Sequence, residues 1–157
     1  MNDANESDRS TYDETVFNHV GQCTTDLDLA TRFYCELLGF EAERDLTVPD
    51  EAVGPLLGIE PPVGLRAVYL RRGGFTLELM HFDRPGNPDR ADRLFNEPGL
   101  THLSLSVVDL PDVVSRVADF GGEVVVDLGM VAMVRDPDGQ LLELLPMAYR
   151  KRLDARP

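Results

Sequence analysis

Cysteine is nearly absent from the chain. Cys23 and Cys35 are the only two; they fit no zinc spacing and no disulfide framework, which points to a reducing cytoplasm. Long apolar runs are missing as well, since no stretch reaches the ~18 residues that a membrane span requires. The opening MNDANESDRSTYDE is acidic and polar. It reads as neither a secretory signal nor an Arg-rich transit peptide, and residues 1–14 are expected to be a disordered acidic tail. Positive charge is the third shortage. Lys and Arg number 15 against 28 Asp and Glu, a net charge of −13, so phosphate is repelled and neither nucleic acid nor an anionic membrane is expected as a partner. Arg71–Arg72 could hold an anionic group, but the pair reads first as solvated surface. The 43% hydrophobic content suits one globular domain, or two small halves sharing a core.

Within that frame the sequence repeats itself. HVGQCTTDLDLATRFYCELLGF (19–40) aligns with HLSLSVVDLPDVVSRVADFGGE (102–123), placing His19 on His102, Asp26 on Asp109, Leu27 on Leu110 and Gly39 on Gly122. Each copy reads as a strand opening at the histidine, an Asp at or near a helix N-cap, an apolar helical face and a glycine stop. The faces are Leu29, Phe33 and Leu37 in one copy, and Val113, Val114, Val117 and Phe120 in the other. Pro111 suits a first helical turn. A second pair, GGFTLELM (73–80) and DGQLLELL (138–145), places Glu78 on Glu143. Each is a Gly-centred turn feeding a strand, and Asp138-Gly139 is a strong hairpin signal. The first copy is longer, and its surplus falls in the Pro/Gly-rich segment 46–64. A short helix is possible there; the segment reads as a surface loop, with a cover over a site as the alternative.

Two βαβββ modules follow, at 15–82 and 100–147, within one α+β domain spanning 15–147. A turn-rich linker, 83–99, joins them, with a possible short helix near Arg90–Phe95, and 148–157 is a basic C-terminal tail. Alternation along strands places His102 with Leu100, Ser104 and Ser106, Glu78 with Thr76 and Met80, and Glu143 with Leu141 and Leu145. A carboxylate among apolar neighbours is costly unless it is paired or ligating. A lone strand histidine or glutamate is ordinarily structural. A His and a Glu kept at matched positions in two repeats are harder to dismiss, because pseudo-twofold assembly would gather four ligands around one point. Imidazole with carboxylate suits Zn, Ni, Co, Mn or Fe(II), and four protein ligands leave open positions on an octahedral ion. His81 falls on the face opposite Glu78 and reads as structural or surface. Met80, Met133 and Met147 read as cavity wall or core. Cys23 shares the His19 face and could line a cleft, with nothing to indicate an activated thiol.

The paired motifs FNHVGQCTTDLDLATRFYCELLGFE, FTLELMHF, GLTHLSLSVVDL and VRDPDGQLLELLP resemble the glyoxalase I/bleomycin resistance/extradiol dioxygenase superfamily, the vicinal oxygen chelate proteins, over roughly 16–147. The resemblance implies modules forming a curved mixed sheet around a divalent-metal cleft. It places ligands at His19, Glu78, His102 and Glu143, with Glu143 and Glu78 as catalytic carboxylates and Glu143 as the base. It also implies a small-molecule substrate and a homodimer, with the modules meeting either within a chain or across the dimer. The activity implied is a glyoxalase I or epimerase type of lyase or isomerase, moving a proton beside a metal-chelated carbonyl. Two alternatives are an Fe(II) extradiol-type dioxygenase using His19, His102 and Glu143, against which Glu78 argues, and a non-catalytic binding or resistance protein, against which the intact ligand set argues. The pattern departs at Cys23 and Phe82, where bacterial glyoxalase I typically has an Arg and an Asn serving glutathione. That counts against a glutathione hemithioacetal as substrate. The epimerase pattern departs too, since LRAVYLRR lacks its second carboxylate and Glu60 is the only one nearby.

Overall fold

The computed structural model describes residues 15–85, 87–88 and 94–154. The acidic tail expected at 1–14 and most of the helix expected near Arg90–Phe95 lie outside these. The first module runs β1 (Val20–Cys23), α1 (Leu27–Arg32), β2 (Glu41–Thr47), α2 (Asp50–Leu57), β3 (Leu65–Arg72) and β4 (Phe75–Phe82). The second runs β5 (His102–Val107), α3 (Leu110–Arg116), β6 (Glu123–Asp127), β7 (Ala132–Arg135), β8 (Leu141–Pro146) and α4 (Met147–Asp154). Each module builds a four-stranded mixed sheet, in the orders β1-β4-β3-β2 and β5-β8-β7-β6. In each, the first strand lies parallel to the last and the other pairings are antiparallel.

The repeat is repeated in its physics. Asp26 and Asp109 both cap helices from extended backbone, accepting hydrogen bonds from the amides of Leu29 (2.9 Å) and Asp112 (3.0 Å). Helix α1 widens into a π-helical turn over Phe33–Leu37, and α3 tightens into a 3-10 turn over Val117–Phe120. The two turns pack against each other. Gly122 makes the contact possible: a β-carbon there would stand 2.7 Å from the Phe33 ring and 2.6 Å from the Arg135 carbonyl.

The helix-bearing sides of both sheets therefore share one core. Phe33, Tyr34, Leu77 and Leu79 from one module join Val117, Val134, Leu142 and Leu144 from the other, all fully buried. A polar knot crosses the same boundary. Asp136, only 2% exposed, accepts from Gln22 Nε2 (2.5 Å) and the Tyr34 hydroxyl (2.9 Å) on Oδ2, and from the amides of Asp138 (3.0 Å) and Gln140 (2.7 Å) on Oδ1. Asp138 in turn accepts from the Thr25 amide (2.8 Å) and the hydroxyls of Thr25 (2.6 Å) and Thr24. Burial pushes the Asp136 carboxyl above its ordinary range despite these donors, and burial beside Asp136 pushes the Tyr34 hydroxyl well up.

The segment 46–64 is more than a surface loop. Helix α2 lies over one end of the first sheet, on the face away from α1, and Val53, Val63 and Leu65 form a small second core with Met80 and Phe82 packed on it. Asp50 ties it down by accepting from the amides of Val63 (3.0 Å) and Gly64 (3.1 Å). The basic C-terminal segment coils into α4 and packs on β5 and β8.

Replacing Asp136 by Ala strands buried donors at the module boundary and is expected to cost about 3 kcal/mol in denaturant unfolding. Asp136→Asn, which keeps one acceptor oxygen and sheds the charge, should cost less. The native state holds the Asp136 proton more tightly than the unfolded chain, whose carboxyl titrates near 3.8. The stability of the native protein relative to Asp136→Asn should therefore fall as pH rises from that value through the raised native one, then level off. Melts across that range check the sign, and a difference that grows with pH contradicts it.

Candidate metal centre

Parallel pairing of β1 with β4 sets Gly21 beside Glu78, and antiparallel pairing sets Tyr69 on the other side of Glu78. His19, two residues before Gly21, shares this open face. Its Nε2 stands 3.1 Å from Glu78 Oε2, and its ring meets the Tyr69 ring edge-on at 5.5 Å. The Tyr69 hydroxyl donates to Glu78; that bond, with burial and the carboxylate's charge, pushes Tyr69 up to about 12, against a smaller opposing effect of Arg44. Gly21 keeps the approach clear, since a β-carbon there would come within 3.0 Å of Met80 and 3.6 Å of Glu78 Oε2.

The second module repeats the arrangement in looser form. His102 Nε2 lies 4.0 Å from Glu143 Oε2, and Ser104, in register with Glu143, donates to that same oxygen at 2.6 Å. Thr101 Oγ1 and His102 Nδ1 are hydrogen-bonded at 2.9 Å. With Nε2 as the ligating atom, Nδ1 carries the proton and donates to Thr101, the outer contact that commonly orients a metal-bound imidazole. Phe95 stacks on the His102 ring, with centroids 5.5 Å apart.

Each pair fits a divalent ion in donor chemistry. Two adjacent ligands at ~2.1 Å from an ion stand roughly 3 Å apart, which the His19–Glu78 separation matches and the His102–Glu143 separation exceeds. The two pairs do not meet within the chain. Among the described residues no group of three or more His, Cys, Asp or Glu side chains converges as a metal site. The reason lies in the shared core: it joins the sides of the sheets that α1 and α3 cover, and both pairs stand on the opposite sides, the first of them beside α2.

Strands β1 and β5 are both sheet edges, and a groove of about 1190 Å³ opens between them, lined by Gly21, Cys23, His81, Phe82, His102 and Asp138 among others. Cys23 lines this groove, which of the four candidate ligands only His102 reaches, and its thiol is pushed up by partial burial and then by Asp138, the opposite of activation. His81 is held structurally, its Nδ1 being 3.1 Å from the Thr24 carbonyl. Sequence reasoning missed Tyr69 and Ser104, the partners of the two glutamates, because their roles depend on strand register. It also missed the Gln22–Tyr34–Asp136 knot, for which the only local sign was the Asp-rich turn DPDG.

The family model for the glyoxalase/bleomycin resistance protein/dioxygenase superfamily matches residues 16–144. Over 133 residues the chain is 29% identical to a Synechocystis protein named "Probable lactoylglutathione lyase", covering 80% of this chain and 91% of that one. It is 28% identical over 141 residues to lactoylglutathione lyase GLX1 of Arabidopsis thaliana, covering 85% of this chain and 44% of that longer protein. A glyoxalase family protein from Bacillus cereus superposes with a TM-score of 0.71 at 23% identity, covering 83% of this chain and 92% of that one.

Removing Glu78 takes away the acceptor and the charge that hold the Tyr69 proton. With both proteins metal-free, Tyr69 in Glu78→Ala should titrate closer to the ordinary value of 10, whereas in the native protein it should stay protonated well past it. NMR of ring-labelled tyrosine reads this directly. An unchanged Tyr69 titration in the variant would mean that the hydroxyl is not held by Glu78.

Proposed function

The chain belongs to the glyoxalase/bleomycin resistance protein/dioxygenase superfamily, and from that premise we propose that it is a metal-dependent lyase or isomerase acting on a small oxygenated metabolite. The observation that carries this reading is the matched pair: one histidine and one glutamate per module, at equivalent register on the open face of each sheet. The relatives named lactoylglutathione lyase support a glyoxalase-like lyase.

In this reading His19, Glu78, His102 and Glu143 hold a divalent ion. When bound, such an ion supplies Lewis-acid stabilisation of the negative charge that develops on a carbonyl oxygen as the neighbouring carbon loses a proton. Glu143 takes that proton. Ser104 fixes its Oε2, and Oε1, without a hydrogen bond among the described residues, is the atom available as base. The proton that Glu143 has taken is returned to the substrate by Glu143 itself, and Glu78, steadied by the Tyr69 hydroxyl, is the second catalytic carboxylate. Helix α2, packed on Met80 and Phe82 beyond Glu78, shields that end of the site from water. Cys23 and Phe82 supply neither of the polar groups that serve glutathione in the bacterial enzymes, so the preferred substrate is something other than the glutathione hemithioacetal.

Because each pair sits on its own open face, the four ligands meet only when a second copy brings its His102 and Glu143 to this chain's His19 and Glu78. The working form is therefore a homodimer, with the open edges β1 and β5 as the natural seam. A cytoplasmic setting agrees with the two free cysteines.

Protein purified without chelator should carry a divalent metal by elemental analysis, and Glu78→Ala or His102→Ala should lose it. Methylglyoxal–thiol adducts should turn over with added Ni²⁺ or Zn²⁺, and Glu143→Gln should lower kcat by about 100-fold or more. Unchanged metal content in both ligand variants overturns the reading.

A further inference from the structure

Strand register lines up one row of residues across each open face. In the first module the row is Gly21, Glu78, Tyr69, Arg44; in the second it is Ser104, Glu143, Met133, Val126. Both outer strands carry a register shift at the equivalent place, between Ala42 and Arg44 in β2 and between Val124 and Val126 in β6. The shift decides which side chain ends the row. Simple alternation from Ala42, which pairs with the core residue Leu70, would send Arg44 to the helix side; the extra residue turns it to the open side beside Tyr69. The influence of the Arg44 charge on the Tyr69 hydroxyl agrees with that placement.

The flanking acids do not neutralise Arg44. Glu43 accepts from Arg71 at 2.9 Å, and Asp45 receives Arg66 through two bonds of 3.1 and 2.7 Å. Among the described residues Arg44 has no ion pair and no side-chain hydrogen bond. An uncommitted guanidinium thus stands on the Glu78 face of a chain whose net charge is −13. The matching place in the second module holds Val126, with Met133 between it and Glu143, so one row ends in a cation and the other in an apolar side chain.

We propose that Arg44 anchors an anionic group of the substrate, a carboxylate or a phosphate. Two strand spacings, ~10 Å between backbones, separate Arg44 from Glu78. The substrate class is then a small acid whose anionic group lies a few atoms from the oxygens presented to the His–Glu centre. The proposal rests on the metal-centre reading above. Arg44 acts in binding and in choosing among substrates, and takes no part in proton transfer.

The test uses three hydroxamates with one chelating head: neutral acetohydroxamate, succinohydroxamate with a carboxylate tail, and phosphonoacetohydroxamate with a phosphonate tail. Each is titrated by calorimetry into full-length protein loaded with Zn²⁺. At least one anionic probe should bind about 10-fold or more tightly than acetohydroxamate, and which one does identifies the anion. Arg44→Met should bring the ratio close to one, and Arg44→Lys should keep part of it. Zn²⁺ content and acetohydroxamate affinity should be the same in all three proteins. A preference for the anionic probes that is absent from the native protein, or that survives in Arg44→Met, overturns the Arg44 subsite while leaving the metal centre standing. Failure of the native protein to take up Zn²⁺ and to bind acetohydroxamate overturns the metal centre and the subsite together.

Discussion

The helix-bearing sides of two sheets are joined in one apolar core, and most of the molecule's character follows from that junction. Each sheet has one face that helices must cover, because Leu77 and Leu79 in one module and Leu142 and Leu144 in the other are fully buried. The π-helical turn after α1 and the 3-10 turn after α3 close the gap, with Gly122 admitting the Phe33 ring. Asp136 adds direction to an otherwise non-directional contact, since its carboxylate binds Gln22 and Tyr34 of the other module. A charge so placed costs desolvation and is compensated by four donors, which makes the boundary specific as well as adhesive. With one side of each sheet committed to the core, chemistry is left to the other side.

That division explains why the chain carries two separate His–Glu pairs. The His19–Glu78 pair is compact and buttressed by Tyr69; the His102–Glu143 pair is wider and buttressed by Ser104 and Thr101. The halves have diverged at the positions flanking the glutamates while keeping the glutamates and histidines themselves. The two pairs therefore have different surroundings, with Tyr69 and Arg44 in line with Glu78 and Met133 and Val126 in line with Glu143.

Much of this was legible in the sequence. The repeat placed His19 on His102 and Glu78 on Glu143, and the helix caps at Asp26 and Asp109 followed from ordinary capping chemistry. Strand alternation correctly put His102 with Ser104, and Glu78 with Met80. Three things were beyond reach for physical reasons. The Asp136 knot joins residues more than a hundred positions apart, and nothing near Gln22 or Tyr34 announces a buried carboxylate. Register decides that Tyr69 and Ser104 are the neighbours of the glutamates, and a one-residue slip would have sent both elsewhere. The bulges in β2 and β6 break the period-two reading at Arg44 and Val126, so alternation assigns those residues to the wrong side. The segment 46–64 was read as a loop with a possible helix. Its docking onto Met80 and Phe82 depends on a small apolar cluster assembled from β3, β4 and α2.

The central claim is that one metal site is built from the His19–Glu78 half of one copy and the His102–Glu143 half of another. Mixing differently tagged Glu78→Ala and His102→Ala chains and isolating the mixed dimer tests it most directly. Each parent homodimer should hold no tightly bound metal. The mixed dimer should hold one ion, because one of its two sites receives both intact halves. A mixed dimer as empty as its parents, alongside a native dimer fully loaded, would place the complete ligand set within a single chain and contradict the account.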